Sequence, residues 1–194
     1  MYERFLLNNS YARHLATLAH TTDFFLKDHY LPPLPEIIRY YLTFNDSYER
    51  LGKLSRKISQ GLLWNIEMSE DYKKFELLRD SDKQKVLEDI KIKKIDDINV
   101  VFVKSSPYIQ TSLFSEEVFQ QTKADLAIFY GKNGKISIRR NNDKIDCNAI
   151  ASQLIDGGGH KFAAGGTLHS DPNSIDDIIS EIEKTILKIK ISNN

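Results

Sequence analysis

The stretch Asp156-Gly157-Gly158-Gly159-His160-Lys161-Phe162-Ala163-Ala164-Gly165-Gly166 constrains this chain more than any other. Three adjacent glycines give the backbone access to positive φ without a Cβ penalty. A turn built from them can aim several N–H groups into one concavity, a nest that holds an anion. His160 stands where that concavity ends. Ala163, Ala164, Gly165 and Gly166 then permit tight packing or the close approach of a ligand. This chemistry points to an oxygen-rich anion, phosphate above all. A glycine triplet alone also reads as a flexible turn beside an ordinary exposed histidine.

The motif is longer than a triplet. Gly157-Gly158-Gly159-His160-x-x-Ala163-Ala164-Gly165 resembles the signature of the C-terminal, substrate-binding domain of the DHH phosphoesterase superfamily. That superfamily includes nanoRNases, RecJ exonucleases and cyclic-dinucleotide phosphodiesterases. Lys135 to Arg140 resembles the Ser-x-Arg strand of the same domain, and Asp146 to Ile155 its intervening helix. Several members carry a fourth glycine where this chain has Asp156. The resemblance implies that Ser137, Arg139, Gly157, Gly158, Gly159 and His160 bind substrate. It implies a cleft for the phosphate and sugar of a short nucleotide, facing a catalytic domain. There, two manganese ions on Asp and His ligands activate water against a phosphodiester.

The catalytic half of that pattern is missing from this sequence. It has no Asp-His-His motif, and no strand with Asp-x-Asp precedes the helical region. Asp28-His29-Tyr30 follows no apolar strand and lacks the second histidine. Thr22-Asp23-Phe24-Phe25 resembles, in part, the region near the last metal-binding aspartate, which makes Met1 to Asp28 the tail of a catalytic domain if the regions correspond. His20 and Asp23 can share a helical face, but two such groups do not make a metal site. No catalytic residue, metal ligand or cofactor is therefore assigned to the chain alone. Manganese is expected only for the complete family enzyme.

Charge narrows the partners. Lys+Arg and Asp+Glu are both 27 among 194 residues, so no general attraction to a long nucleic acid is expected and nucleotide binding is local. Cys147 is the only cysteine, which excludes an intramolecular disulfide and fits a reducing, cytoplasmic setting. Glu3 and Arg4 precede only a short apolar pair, so no secretory leader is expected. No apolar run reaches membrane-spanning length.

Apolar spacing predicts helices from Met1 to about Lys27, over Glu36–Phe44 and over Asp46–Ile66, the last with Tyr48, Leu51, Leu54, Ile58 and Leu62 in one stripe. The prolines at 32, 33 and 35 form a break between the first two. Ser69 is read as the cap of a helix ending near Arg79, with Tyr72, Phe75 and Leu78 inward. Asp80-Ser81-Asp82 is read as a turn before a helix from Lys83 to Lys91. Beyond Asp96 the pattern becomes mixed. Strands are expected at Ile98–Val103, Leu126–Tyr130, Lys135–Arg140 and Gly165–His169, and a helix at Phe114–Lys123. Asn133-Gly134 predicts a hairpin turn. Within Lys135–Arg140, Ile136 and Ile138 face one way while Ser137 and Arg139 face the other. Asp146 caps a helix over Cys147–Ile155, and Gly157 ends it. Asp171-Pro172 is a turn, and Ser174 with Asp177 resembles a capping box. Ile175, Ile178, Ile179, Ile182, Ile186 and Ile189 then form a long amphipathic stripe.

The expected fold is α/β (α+β): a helical segment over 1–95, then a small mixed sheet flanked by helices over 96–194. By resemblance, the second part is the substrate-binding half of a phosphoesterase acting on short oligonucleotides or cyclic dinucleotides, inactive alone. The expected partner is a short oligonucleotide or dinucleotide phosphate, with the missing catalytic domain or further copies of the chain, and no membrane. Two other classes stand beside this: a stand-alone nucleotide-binding regulatory module, and the tRNA-contacting domain of an alanyl-tRNA editing relative. Zero net charge and the lack of a basic stripe count against the latter.

Overall fold

The computed structural model describes residues 9–23, 32–170, 172 and 174–193. The chain divides into two compact units, the first running to Leu78 and the second from Arg79 to Asn194. Asp28-His29-Tyr30, Phe24, Phe25 and Asp171 lie outside the described residues. So do both ends of the expected first helix, which is described over Ser10–Asp23.

The first unit holds α1 (Ser10–Asp23), α2 (Leu34–Tyr41), α3 (Ser47–Ser59) and the start of α4 (Ile66–Glu88). Proline in the first turn of α2 removes only a donor that has no intrahelical partner there. Ile37, Leu54, Met68 and Phe75 are buried together with the rings of Tyr40 and Tyr41. The Tyr41 hydroxyl donates to Asp71 at 2.9 Å, and Tyr11 donates to the Ile58 carbonyl.

Three expectations fail here. The helix from Asp46 does not reach Ile66. Gly61 takes φ of 89°, Leu62 N–H bonds the Lys57 carbonyl and Gly61 N–H bonds the Ile58 carbonyl, which closes α3 in a Schellman cap. Of the proposed stripe Leu54 is buried, while Tyr48 is 93% exposed. Ser69 is not a cap. Asn65 is, its side chain accepting from Met68 N–H at 2.9 Å, and Ser69 instead receives the Trp64 indole N–H. Nor is Asp80-Ser81-Asp82 a turn. It lies within α4, where these polar residues are tolerated on a continuous helix.

The second unit contains the end of α4, β1 (Lys91–Ile95), β2 (Ile98–Lys104), α5 (Thr111–Thr122), β3 (Leu126–Tyr130), β4 (Lys135–Arg140), α6 (Cys147–Leu154), β5 (Ile155–His160), β6 (Ala163–Leu168) and α7 (Ile175–Asn193). Its six strands form one sheet in the order β1-β2-β3-β4-β6-β5. Only β2 and β3 are parallel, joined through α5; the other pairs are antiparallel. β1 replaces the expected end of the Lys83–Lys91 helix. It is an edge strand studded with lysines, a pattern that protects an open edge but hides the strand from periodicity.

The two sheet faces are covered unequally. On one, Ile136, Ile138, Ala164 and Leu168 pack under Ile150, Ala151 and Leu154 of α6 and the isoleucine stripe of α7. On the other, Val101, Val103, Ala127 and Phe129 of β2 and β3 pack against Val86 of α4 and Phe114, Val118 and Phe119 of α5. The expected caps form as read: Asp146 accepts from Asn148 and Ala149 N–H, and Ser174 and Asp177 exchange reciprocal bonds at 3.0 and 3.2 Å. Among the described residues, no helix is long and apolar enough to cross a membrane.

Candidate functional site

The glycine motif is a hairpin, not a nest at a helix end. α6 stops at Leu154, and Ile155–His160 is already strand β5, antiparallel to β6. Gly157 therefore does not end a helix. Gly157 and Gly158 do not take positive φ, and Gly159, at 159°, is close to extended. The pressure for glycine is close approach. A Cβ on Gly157 would lie 2.2 Å from the Gly165 carbonyl oxygen, and one on Gly166 would lie 2.2 Å from that of Asp156. At Gly158 the nearest atom is Asn148 Oδ1, at 3.9 Å.

Register gathers the expected residues. Arg139 pairs with Ala163, and Ala163 with His160, so the three form one row across β4, β6 and β5. Ser137, Gly165 and Gly158 form the next row. Directly opposed residues of antiparallel strands share a face. Arg139 and His160 thus stand two strand spacings apart, about 10 Å. Between them lies a floor of Ala163 and Gly165 that offers no bulk. Ser137 and Arg139 are half-buried, while Gly158 and His160 are exposed. Burial pulls the Arg139 pKa below its ordinary value without neutralising the guanidinium, and its Nη1 donates to the Ile138 carbonyl at 2.9 Å. The guanidinium has further N–H donors beyond the one used in that bond.

The hairpin is anchored at its tip. Cys147 N–H donates to the Lys161 carbonyl at 2.9 Å and Arg140 N–H to that of Phe162 at 3.3 Å. The His160 ring lies parallel to that of Phe162, with centroids 5.5 Å apart. His169 Nε2 lies 3.2 Å from Asp156 Oδ1. Beside the row, an open hollow of about 510 Å³ is lined by Ser112, Ser115, Phe119 and Lys123 and by Arg140 and Asn141 at the end of β4. Sequence reasoning missed this hollow, whose lining joins residues of α5 to the end of β4. It missed Asp125 too, which ties the starts of β2 and β3 to the end of β4. Its carboxylate accepts from Asn99 N–H at 2.8 Å, and from Asn142 and Lys144. Burial alone would raise its pKa, but these bonds hold it below the usual carboxylate range.

Comparison with known proteins follows the same region. Residues 110–188, all within the second unit, match the model of the DHHA1 domain. No curated protein matches the chain. Among solved structures, an exopolyphosphatase-related protein from Bacteroides fragilis is 21% identical, with TM-score 0.44 over 56% of this chain and 35% of its own. RecJ from Thermus thermophilus, solved with Mn2+, is 16% identical, with TM-score 0.48 over 79% of this chain and 23% of its own. The pGpG-specific phosphodiesterase PggH from Vibrio cholerae is 14% identical, with TM-score 0.45 over 73% of this chain and 51% of its own. The chain thus spans about a quarter to a half of the length of these structures. At such identities and scores they define no function for it.

Proposed function

We propose that the second unit binds the phosphate of a short nucleotide, as the substrate-binding part of a DHH-type phosphoesterase acting on short oligonucleotides or cyclic dinucleotides. The observation that supports this most is the row Arg139–Ala163–His160, which sets two donor groups either side of a bare floor in the region that matches the DHHA1 domain. Arg139 offers a phosphate two parallel charge-assisted hydrogen bonds. His160 donates from the other side, and Ser137 lies one row along on β4. Gly165 and Gly158 let the sugar-phosphate chain approach the backbone. The contribution is orientation of the scissile phosphate and stabilisation of its charge.

Bond cleavage is not assigned to these residues. Among the described residues no group of three His, Cys, Asp or Glu side chains is placed to hold a metal ion. The described residues therefore offer no ligand set that fits a manganese pair. The decisive experiment is titration calorimetry of the full chain with 5′-phosphorylated diadenylate. Arg139→Ala and His160→Ala are expected to weaken binding while circular dichroism stays unchanged. Equal affinities for wild type and both variants would remove the proposed site. Chelator-sensitive hydrolysis by the purified chain would show that it holds catalytic ligands as well.

A further inference from the structure

The tip of the β5–β6 hairpin presents a large ring to solvent beside the row just described. Phe162 is 56% exposed although the core of the unit is close by. A single exposed apolar side chain is ordinary. This one differs in how it is carried. The Lys161 and Phe162 carbonyls both accept backbone bonds, one from the first residue of α6 and one from the last of β4. The turn is therefore pinned from two sides. One side of the ring is stacked on His160, with planes 19° apart, and that imidazole sits at the end of the Arg139–Ala163–His160 row.

We propose that Phe162 is the stacking shelf for a nucleobase, so that the site selects a nucleotide over a bare phosphate chain. The inference rests on the nucleotide-phosphate reading above and names the part of the ligand that reading leaves open. A phosphate held between Arg139 and His160 directs its sugar and base outward past the imidazole, and the next surface met is the Phe162 ring. Stacking on an aromatic ring tolerates any base, since every base has a π-face. The shelf therefore separates nucleotides from polyphosphate rather than one base from another. Offset-parallel rings are a favoured aromatic geometry. A base added to the His160–Phe162 pair extends a stack that already exists, with the ring positions fixed before binding.

The test is calorimetry on the full chain with three probes: 5′-phosphorylated diadenylate, its abasic sugar-phosphate counterpart and inorganic tripolyphosphate. Phe162→Ala is expected to weaken the diadenylate by about 5- to 150-fold, the range of one base–aromatic stack, and to leave both base-free probes unchanged. Phe162→Trp is expected to retain diadenylate binding and to add a fluorescence signal that the base-bearing probe alone quenches. An equal loss for all three probes in Phe162→Ala would mean that the ring only supports the hairpin, and would overturn the proposal. So would a wild-type chain that prefers tripolyphosphate to diadenylate. Diadenylate binding that depends on Arg139 but not on Phe162 would sink the shelf alone. Binding that depends on neither would sink the phosphate site and the shelf with it.

Discussion

The strands β4, β6 and β5 carry two different surfaces on alternate residues. One face presents Ile136, Ile138, Ala164 and Leu168 to two helices and is closed. The other presents Ser137, Arg139 and Ala163, each only partly buried. In β2, beyond β3, Val100, Val101, Phe102 and Val103 are by contrast all fully buried, because helices lie on both sides. The difference teaches where binding chemistry can reside in this sheet. A strand covered twice has no face free for a ligand. A strand covered once holds the fold with one set of residues and exposes the other set at no cost to packing.

The two faces should therefore separate under mutation, except at the glycines, where backbone meets backbone. Gly157→Val is expected to have the largest effect. Its Cβ would fall 2.2 Å from a main-chain carbonyl oxygen of the partner strand, with no flexible side chain to yield. We expect a loss of more than about 4 kcal/mol, in the range reserved for severe steric mechanisms, and a second unit that no longer folds. Gly158→Ala is its control, because nothing lies closer than 3.9 Å to the added carbon. Thermal melts of the two variants decide the matter: similar melting temperatures would break the close-approach account of the motif.

On the closed face, Ile182 is fully buried in the centre of the α7 stripe. Ile182→Ala should cost about 2–5 kcal/mol, as for other buried aliphatic truncations. Nucleotide affinity of the folded fraction should not change. Urea unfolding gives the first quantity and calorimetry below the transition the second. A variant that loses affinity while keeping stability would show that the faces are coupled.

What the sequence made legible follows the same division. Alternation in Lys135–Arg140 assigned both faces of β4 correctly, because period two is visible when one side is apolar. The α7 stripe and both caps were equally readable, since each rests on local spacing. The glycine motif was located but its conformation was misread. Glycine admits positive φ and close strand approach alike, and only the register with β6 shows that the second applies. β1 was invisible because three lysines mask its two isoleucines. The hollow beside Arg140 depends on α5 and the end of β4 coming together, which no single stretch encodes.

On the open face, Arg139→Lys sharpens the comparison further. It keeps the charge but replaces a planar fork with a point donor. Binding of phosphorylated diadenylate should weaken by about 1–2 kcal/mol, less than the roughly 1.5–3 kcal/mol expected for full loss of a charge-assisted bond. The melting temperature should move little. Lysine as good as arginine would mean that charge alone, and not two-pronged geometry, holds the phosphate.

The smallest effect is expected from Cys147, the first residue of α6, on the closed side and wholly buried. Burial is the main cause that pushes its thiol up from 9.0 to about 11, with Asp146 adding to the shift and Arg140 and Arg139 opposing it. In the unfolded chain the same thiol ionises near its ordinary value. Below that value the group is neutral in both states, and its contribution to stability is fully present. As the pH rises from about 9 towards about 11, the unfolded chain gains a solvated thiolate that the folded chain cannot form, and the contribution is lost. Wild type should therefore lose stability across that window more steeply than Cys147→Ala. The small void lowers the variant's overall level, but that offset is constant with pH. Urea unfolding at a series of alkaline pH values measures the two slopes, and the other titrating groups cancel in their difference. Parallel slopes would show that the thiol reaches solvent, and that α6 does not seal the closed face at its first turn.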